Sequence, residues 1–219
     1  MKTLGLAFLL AAAAVNSPAQ QWELGGLGGG SFLNTAPVSS PSGSATAGFQ
    51  TGFVGGGYFG QTLYPHLSGE IRYEFFQSNL RISAGNTSAD FAGMAHAVHY
   101  DLILHTQRKN SPVQFFAAFG GGMKIFQGTG AETAFQATMQ YGYMTKTHQV
   151  KPMASIGGGF TYRLSPRIYL RTEFRDFITP FPTAVITPPN SNVKYGSILN
   201  DLVPMVGINY VFGQTVTEQ

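Results

Sequence analysis

"IYLRTEFRDF", residues 168–177, alternates without a break: Arg171, Glu173 and Arg175 fall on one side, Leu170, Thr172 and Phe174 on the other. Successive side chains of a β-strand point to opposite faces. The stretch therefore predicts a strand with one charged face and one apolar face. The same period of two runs through "EIRYEFFQ" (70–77), where Glu70, Arg72 and Glu74 oppose Ile71, Tyr73 and Phe75. It returns in "HAVHYDLILHT" (96–106), where His99, Asp101 and His105 oppose Val98, Tyr100, Leu102 and Leu104.

Working outward from these segments, the chain reads as eight strands at roughly 21–33, 46–61, 67–83, 91–106, 113–127, 149–164, 167–178 and 201–212. Their connections alternate in length. Segments 34–45, 84–90, 128–148 and 179–200 carry most of the prolines, serines and asparagines. "TLYPH" (62–66), "QRKNSP" (107–112) and "SP" (165–166) are short. Long antiparallel strands in even number, with tight turns at one end and long loops at the other, are the pattern of a transmembrane barrel. After residue 20 no continuous apolar run is long enough for a spanning helix.

Composition agrees. Only 11% of residues are charged, against roughly 25% in an ordinary soluble domain. The net charge of +3 is scattered, with no basic run longer than Arg108-Lys109, which argues against a nucleic-acid partner. With no cysteine there is no disulfide, thiolate chemistry or cysteine metal site. Lys2 followed by the apolar "TLGLAFLLAAAAV" (3–15) and the small residues of "SPA" (17–19) predicts a signal peptide over 1–19, cleaved after Ala19. An uncleaved anchor would need about 20 apolar residues, and Asn16 and Pro18 end the run early.

Over 20–212 the chain resembles the small eight-stranded outer-membrane β-barrels, such as the membrane domain of OmpA and the OmpX group. The sharpest match is "MVGINYVF" (205–212), where Gly207, Tyr210 and Phe212 stand in the register of that family's C-terminal assembly signal. Met205 occupies the signal's polar position, and a short extension, 213–219, follows. The resemblance implies an all-β, eight-stranded antiparallel up-and-down barrel in the outer membrane. It implies contact with outer-membrane lipid and lipopolysaccharide, and recognition by the barrel-assembly machinery.

An eight-stranded barrel is just wide enough to be filled by side chains. Alternation assigns to its lumen the acids Glu23, Glu70, Glu74, Asp101 and Glu173 and the bases Arg72, Lys124, Lys151, Arg163, Arg171 and Arg175. Buried charges must be paired to be tolerated, so this nearly balanced set predicts an ionic plug. Four glycine triplets, at 28–30, 55–57, 120–122 and 157–159, then make room. The wall facing long lumenal side chains is left bare, strand glycines permit bending, and aromatics such as Phe53, Phe59, Phe119 and Phe160 cover the exposed backbone. "GGLGGG" (25–30) loosely fits a phosphate-binding frame, but no helical pattern follows it.

Trp22, Tyr58, Tyr64, Tyr162, Tyr169, Tyr210 and Phe212 are expected in a girdle near the turns, and Tyr141, Tyr143 and Tyr195 toward the loops. "PHLSGE" supplies His66, Ser68 and Glu70, the residue types of a hydrolytic triad. Side chains two apart on a strand stand roughly 7 Å apart, too far for the required hydrogen bonds. His99 and His105 flank Asp101 and are read as hydrogen-bonded lumenal histidines, with no metal or cofactor. The reading is a non-enzymatic structural or surface-interaction barrel. A surface ligand is expected at loops 128–148 and 179–200, which hold Phe135, Met139, Tyr141, Tyr143, Phe181 and Ile186. A narrow channel and a lipid A-modifying hydrolase are the alternatives.

Overall fold

The computed structural model describes residues 21–33, 35–106 and 112–213. Residues 1–20, which hold the expected leader 1–19, residue 34, residues 107–111 of the expected second short turn and residues 214–219 of the expected C-terminal extension lie outside the described residues. Among the described residues the strands are β1 (Gln21–Leu33), β2 (Ala36–Ser40), β3 (Gly43–Phe49), β4 (Gly52–Tyr64), β5 (Leu67–Gln77), β6 (Leu80–Ala84), β7 (Thr87–Phe91), β8 (Gly93–His105), β9 (Val113–Gly128), β10 (Tyr143–Met144), β11 (His148–Arg163), β12 (Ile168–Pro180), β13 (Ile186–Thr187), β14 (Lys194–Tyr195) and β15 (Ile198–Gly213).

The long strands close into an antiparallel barrel in the order β1-β15-β12-β11-β9-β8-β5-β4. Closure is made by β1 against β15, from Gln21 opposite Gly213 to Leu33 opposite Asp201. Hydrocarbon offers backbone groups no hydrogen-bond partner, so only a sheet without edges can cross it. The outer surface fits that solvent: Leu24, Ile71, Phe115, Met123, Ile156 and Ile208 are exposed, while Glu70, Arg72, Asp101, Glu173 and Arg175 are buried inside. A polar interior within an apolar exterior makes this an all-β, eight-stranded transmembrane barrel.

The expected strands 46–61 and 67–83 each divide in two. Between β3 and β4 the Gln50 amide donates to the Asn79 carbonyl at 2.8 Å, and the Ser78 hydroxyl donates to the Gln50 carbonyl. Both chains break there and continue as β3 and β6 beyond the barrel rim. Connections expected to be irregular hold β2, β7 and β14, and these join β3 and β6 in a sheet ordered β14-β2-β3-β6-β7. The buried faces of these strands carry small apolar residues such as Ala36, Val38, Ala45 and Ala47 among Ser, Pro and Thr. Their turn-forming neighbours mask the alternation.

This outer sheet caps the barrel. Val38, Phe49, Ile82, Tyr141, Phe181 and Ile186 from the cap join Val54, Phe76, Phe126, Phe177 and Leu199 from the barrel interior in one apolar cluster. Tyr141, Phe181 and Ile186 are therefore packed on the rim and are not displayed by their loops. Of the apolar loop residues named above, Phe135 stands out at 77% exposed, and Met139 and Tyr143 are half-buried. Burial pushes the Tyr195 phenol well above its ordinary pKa, and its hydroxyl donates to the Tyr141 carbonyl at 2.8 Å.

On the β6–β7 hairpin, Arg81 donates to both oxygens of Asp90. The hydrogen bond from Arg81 holds the Asp90 carboxyl below its usual range. A lowered folded-state pKa stabilises above the unfolded value, and the gain is lost as pH falls through the folded one. The pair is solvent-exposed and thus weak. Asp90→Asn is expected to leave barrel stability unchanged while increasing amide exchange in Leu80–Phe91 at neutral pH. Hydrogen-exchange mass spectrometry checks this, and the difference from the native protein should vanish in acid.

On the outer wall at the turn end, Trp22 stacks on Phe59 at 5.1 Å, Phe59 meets Phe212 at 6.3 Å, and Phe212 stacks on Tyr210 at 6.2 Å. Tyr64 and Tyr162, near the ends of β4 and β11, are exposed as well. Two expected girdle members sit elsewhere: Tyr58 is buried in the lumen and Tyr169 lines a lumenal cavity. The even parity of Tyr58 on β4 matches inward-facing Val54. The odd parity of Tyr169 on β12 matches Arg171. Tyr141 and Tyr195 belong to the cap.

Candidate functional site in the lumen

Inward positions of β5, β8 and β12 converge on the barrel axis. Arg72, from β5, donates from Nε to Glu74 at 2.9 Å and from Nη1 to Glu70 at 3.1 Å, and its Nη2 reaches Glu173 on β12. β5 and β12 are four places apart in the closed order of eight, so this contact crosses the lumen. Arg171 returns it, donating to Glu70 at 2.7 Å while its Nε holds Glu173 at 2.9 Å. Arg175 donates to Asp101 on β8 at 2.6 Å. The Arg171 guanidinium also lies 4.5 Å above the Tyr58 ring and 4.4 Å above Phe116, a cation–π arrangement.

Lys124, on β9, donates to Asp201 on β15 at 2.7 Å, and Ser31 supplies a second donor to Asp201, also at 2.7 Å. Asp201 is 1% exposed and lacked any charged neighbour in sequence to mark it. Its inward companions Val203 and Met205 are apolar, so only the alternation of β15 pointed inward. His99 places Nδ1 2.9 Å from Asp101 and Nε2 2.8 Å from Glu74. A neutral imidazole has one donor, so one proton is shared among these three groups beyond the neutral ring's own.

Two expected lumenal bases stand outside the cluster. Arg163 is exposed at the last position of β11, paired with Tyr169 at the turn end of the barrel. Lys151 is half-buried opposite Lys124 and makes no ion pair among the described residues. The cluster is consequently acid-rich: Glu23, Glu70, Glu74, Asp101, Glu173 and Asp201 meet the bases Arg72, Lys124, Arg171 and Arg175.

Glycines stand beside these charges in register, on the adjacent strand more than on the far wall. Gly60 pairs with Glu70 and Gly56 with Glu74, Gly120 with Asp101 and Gly122 with His99. Gly157 pairs with Arg175 and Gly159 with Glu173, and Gly207 with Arg171. A long side chain leaving one strand leans across its neighbour, whose backbone must be bare. The Gly207 position takes part in this packing, because a β-carbon there would strike the Gly26 carbonyl and Leu27. Tyr210 and Phe212 face outward in the aromatic patch.

The candidate triad does not assemble. The Ser68 hydroxyl bonds to His105 Nε2 at 2.8 Å, the His66 ring nitrogen reaches the His105 carbonyl at 3.2 Å, and Glu70 is held by Arg72 and Arg171. Ser68 and His105 belong to the wall of a cavity of about 150 Å³ at the turn end, with Glu23, Glu70, Phe116, Arg171 and Asn209.

A charged interior, an apolar belt and short turns opposite a folded cap define the class: the fold is that of the small eight-stranded outer-membrane barrels. Among solved structures the chain is similar to outer membrane protein OprG from Pseudomonas aeruginosa, at 13% identity over 90% of this chain and 97% of that one, with a TM-score of 0.56. It is similar to Neisserial surface protein A at 14% identity over 88% and 97%, TM-score 0.53. A major outer membrane protein from Thermus thermophilus matches at 15% identity over 89% and 100%, TM-score 0.54. No protein-family model matches the chain, and no curated protein sequence matches it.

Proposed function

We propose that this is a non-enzymatic integral outer-membrane protein whose lumen is closed by a charge plug and which acts through its cell-surface cap. The observation that carries the reading is the buried Arg72–Glu173 contact between opposite walls, with both side chains fully buried. Above it the lumen is filled by Phe76, Phe126 and Phe177 and roofed by the outer sheet. An ion crossing the barrel would have to separate desolvated pairs and then traverse an apolar layer.

In this reading residues 1–19 direct export, Gly207, Tyr210 and Phe212 are read by the barrel-assembly machinery, and 20–212 is the mature barrel with 213–219 as a tail. The short turns face the periplasm. The outer belt meets lipid and lipopolysaccharide, and a surface ligand is met at loops 128–148 and 179–200, where Phe135 is displayed. Glu70, Arg72, Glu74, Asp101, Lys124, Arg171, Glu173 and Arg175 form the plug.

Refolded protein in planar bilayers is expected to pass no steady current. Neutralising Glu74 and Arg175 together should leave the apolar layer in place and the bilayer silent. Steady conductance by the native barrel would overturn the plug and support the channel alternative.

A further inference from the structure

We propose that the cavity at the turn end is a binding site for a small primary alkylamine, held as its ammonium by Glu23. The site is independent of the cap and lies below the plug, at the turn end of the lumen.

Glu23 is unlike the other lumenal carboxylates. Its side chain is 27% exposed, against 4% for Glu70 and none for Glu173. All its donors converge on one oxygen: the Tyr58 hydroxyl, Asn209 Nδ2 at 2.7 Å and Arg171 Nη1 at 3.4 Å all reach Oε1. Oε2 receives no hydrogen bond among the described residues, and Glu23 lines the cavity. Asn209 lines the same cavity at 2% exposure, and its Oδ1 is also without a hydrogen-bond partner. One carboxylate oxygen of Glu23 thus lacks a donor, and the carbonyl of Asn209, whose amide nitrogen bonds to the companion oxygen, lies buried without one.

An ammonium carries three donors and no acceptor, which suits the free oxygen of Glu23. It also answers the charge. Among the described residues of the ion-pair cluster the carboxylates outnumber the cations by two, and the proton shared at His99 offsets one of them. A single positive charge beside Glu23 restores balance where solvent can deliver it. The charge of Arg171 is already opposed by Glu70, Glu173 and Glu23, which all engage its guanidinium.

Size and lining set the rest of the ligand. Phe116, Ile103 and Val211 provide apolar wall, and a cavity of about 150 Å³ is of the size that holds benzene in an apolar protein core. The fit is an alkyl chain of about four carbons, with its ammonium at Glu23.

The test is isothermal titration of the refolded barrel in zwitterionic detergent with n-butylammonium, n-butanol and butyrate. Saturable one-site binding is expected for the ammonium alone, weakened at least tenfold by Glu23→Gln. Val211 is the register partner of Glu23, so Val211→Phe should block the site without removing any ion pair. If Glu23→Gln does not refold, Val211→Phe and the alcohol and carboxylate comparisons still decide. Equal binding of the alcohol, no saturable binding, or a folded Glu23→Gln that binds normally would each overturn the proposal. So would displacement of the amine by equimolar sodium, which would reveal an inorganic cation site.

Discussion

Arg72→Met is expected to destabilise the barrel by about 3–5 kcal/mol, the usual result of removing one partner from buried ion pairs. Arg72 is 2% exposed and donates to Glu70, Glu74 and Glu173. Methionine keeps much of the volume and none of the charge. Glu70 and Glu173 would retain Arg171, and Glu74 would retain His99, but the acid excess of the lumen would grow by one. The measurement is a urea titration followed by electrophoresis of unboiled samples, in which a closed barrel migrates apart from the unfolded chain. Adding Glu173→Gln should recover part of the loss, because two contacting groups in one network are coupled. A single-variant loss below about 1 kcal/mol, the range of exposed pairs, would mean that the cluster contributes no more than a surface salt bridge.

Gly120→Val is expected to prevent closure or cost about 3 kcal/mol or more, at the upper end for overpacking. A β-carbon on Gly120 would strike the Asp101 carboxylate, the Tyr100 carbonyl and the Asp101 backbone. No rotamer relieves a clash with backbone, so the β8–β9 seam itself must open. The next residue is the control. Gly121 faces outward, and a β-carbon there would meet only the Met153 carbonyl, at 3.3 Å. Gly121→Ala should refold to a heat-modifiable band with near-native urea stability. If Gly120→Val also did so, the account of the triplets as bare backbone beside inward charges would fail.

These two sites differ in how far the sequence revealed them. Arg72, Glu173 and Gly120 all sit on strands with strict alternation, so their faces followed from residue parity. Parity did not reveal height along the axis. Arg163 shares inward parity with Ser155, yet it sits at the strand end and meets water. Tyr58 carries the residue type of an interfacial girdle, while its even position on β4 sends it inward to Glu23. Asp201 was passed over because no charged neighbour repeated on its face. The cap was hidden for a related reason: Ala36, Val38, Ala45 and Ala47 bury little surface each and lie among turn formers.

The order of the chain alone settled a closed antiparallel barrel, because a period of two with an apolar outer face has only one stable arrangement in lipid, a sheet without edges. It also settled which face of its strand each alternating side chain takes. Which charges meet was decided only in three dimensions. Closure sets β12 opposite β5 and β9 three places from β15, and the stagger between strands fixes the height of each side chain. Sequence alternation carries neither quantity. The same holds for the cavity, since the free oxygen of Glu23 exists only because Tyr58, Asn209 and Arg171, from three other strands, converge on its companion.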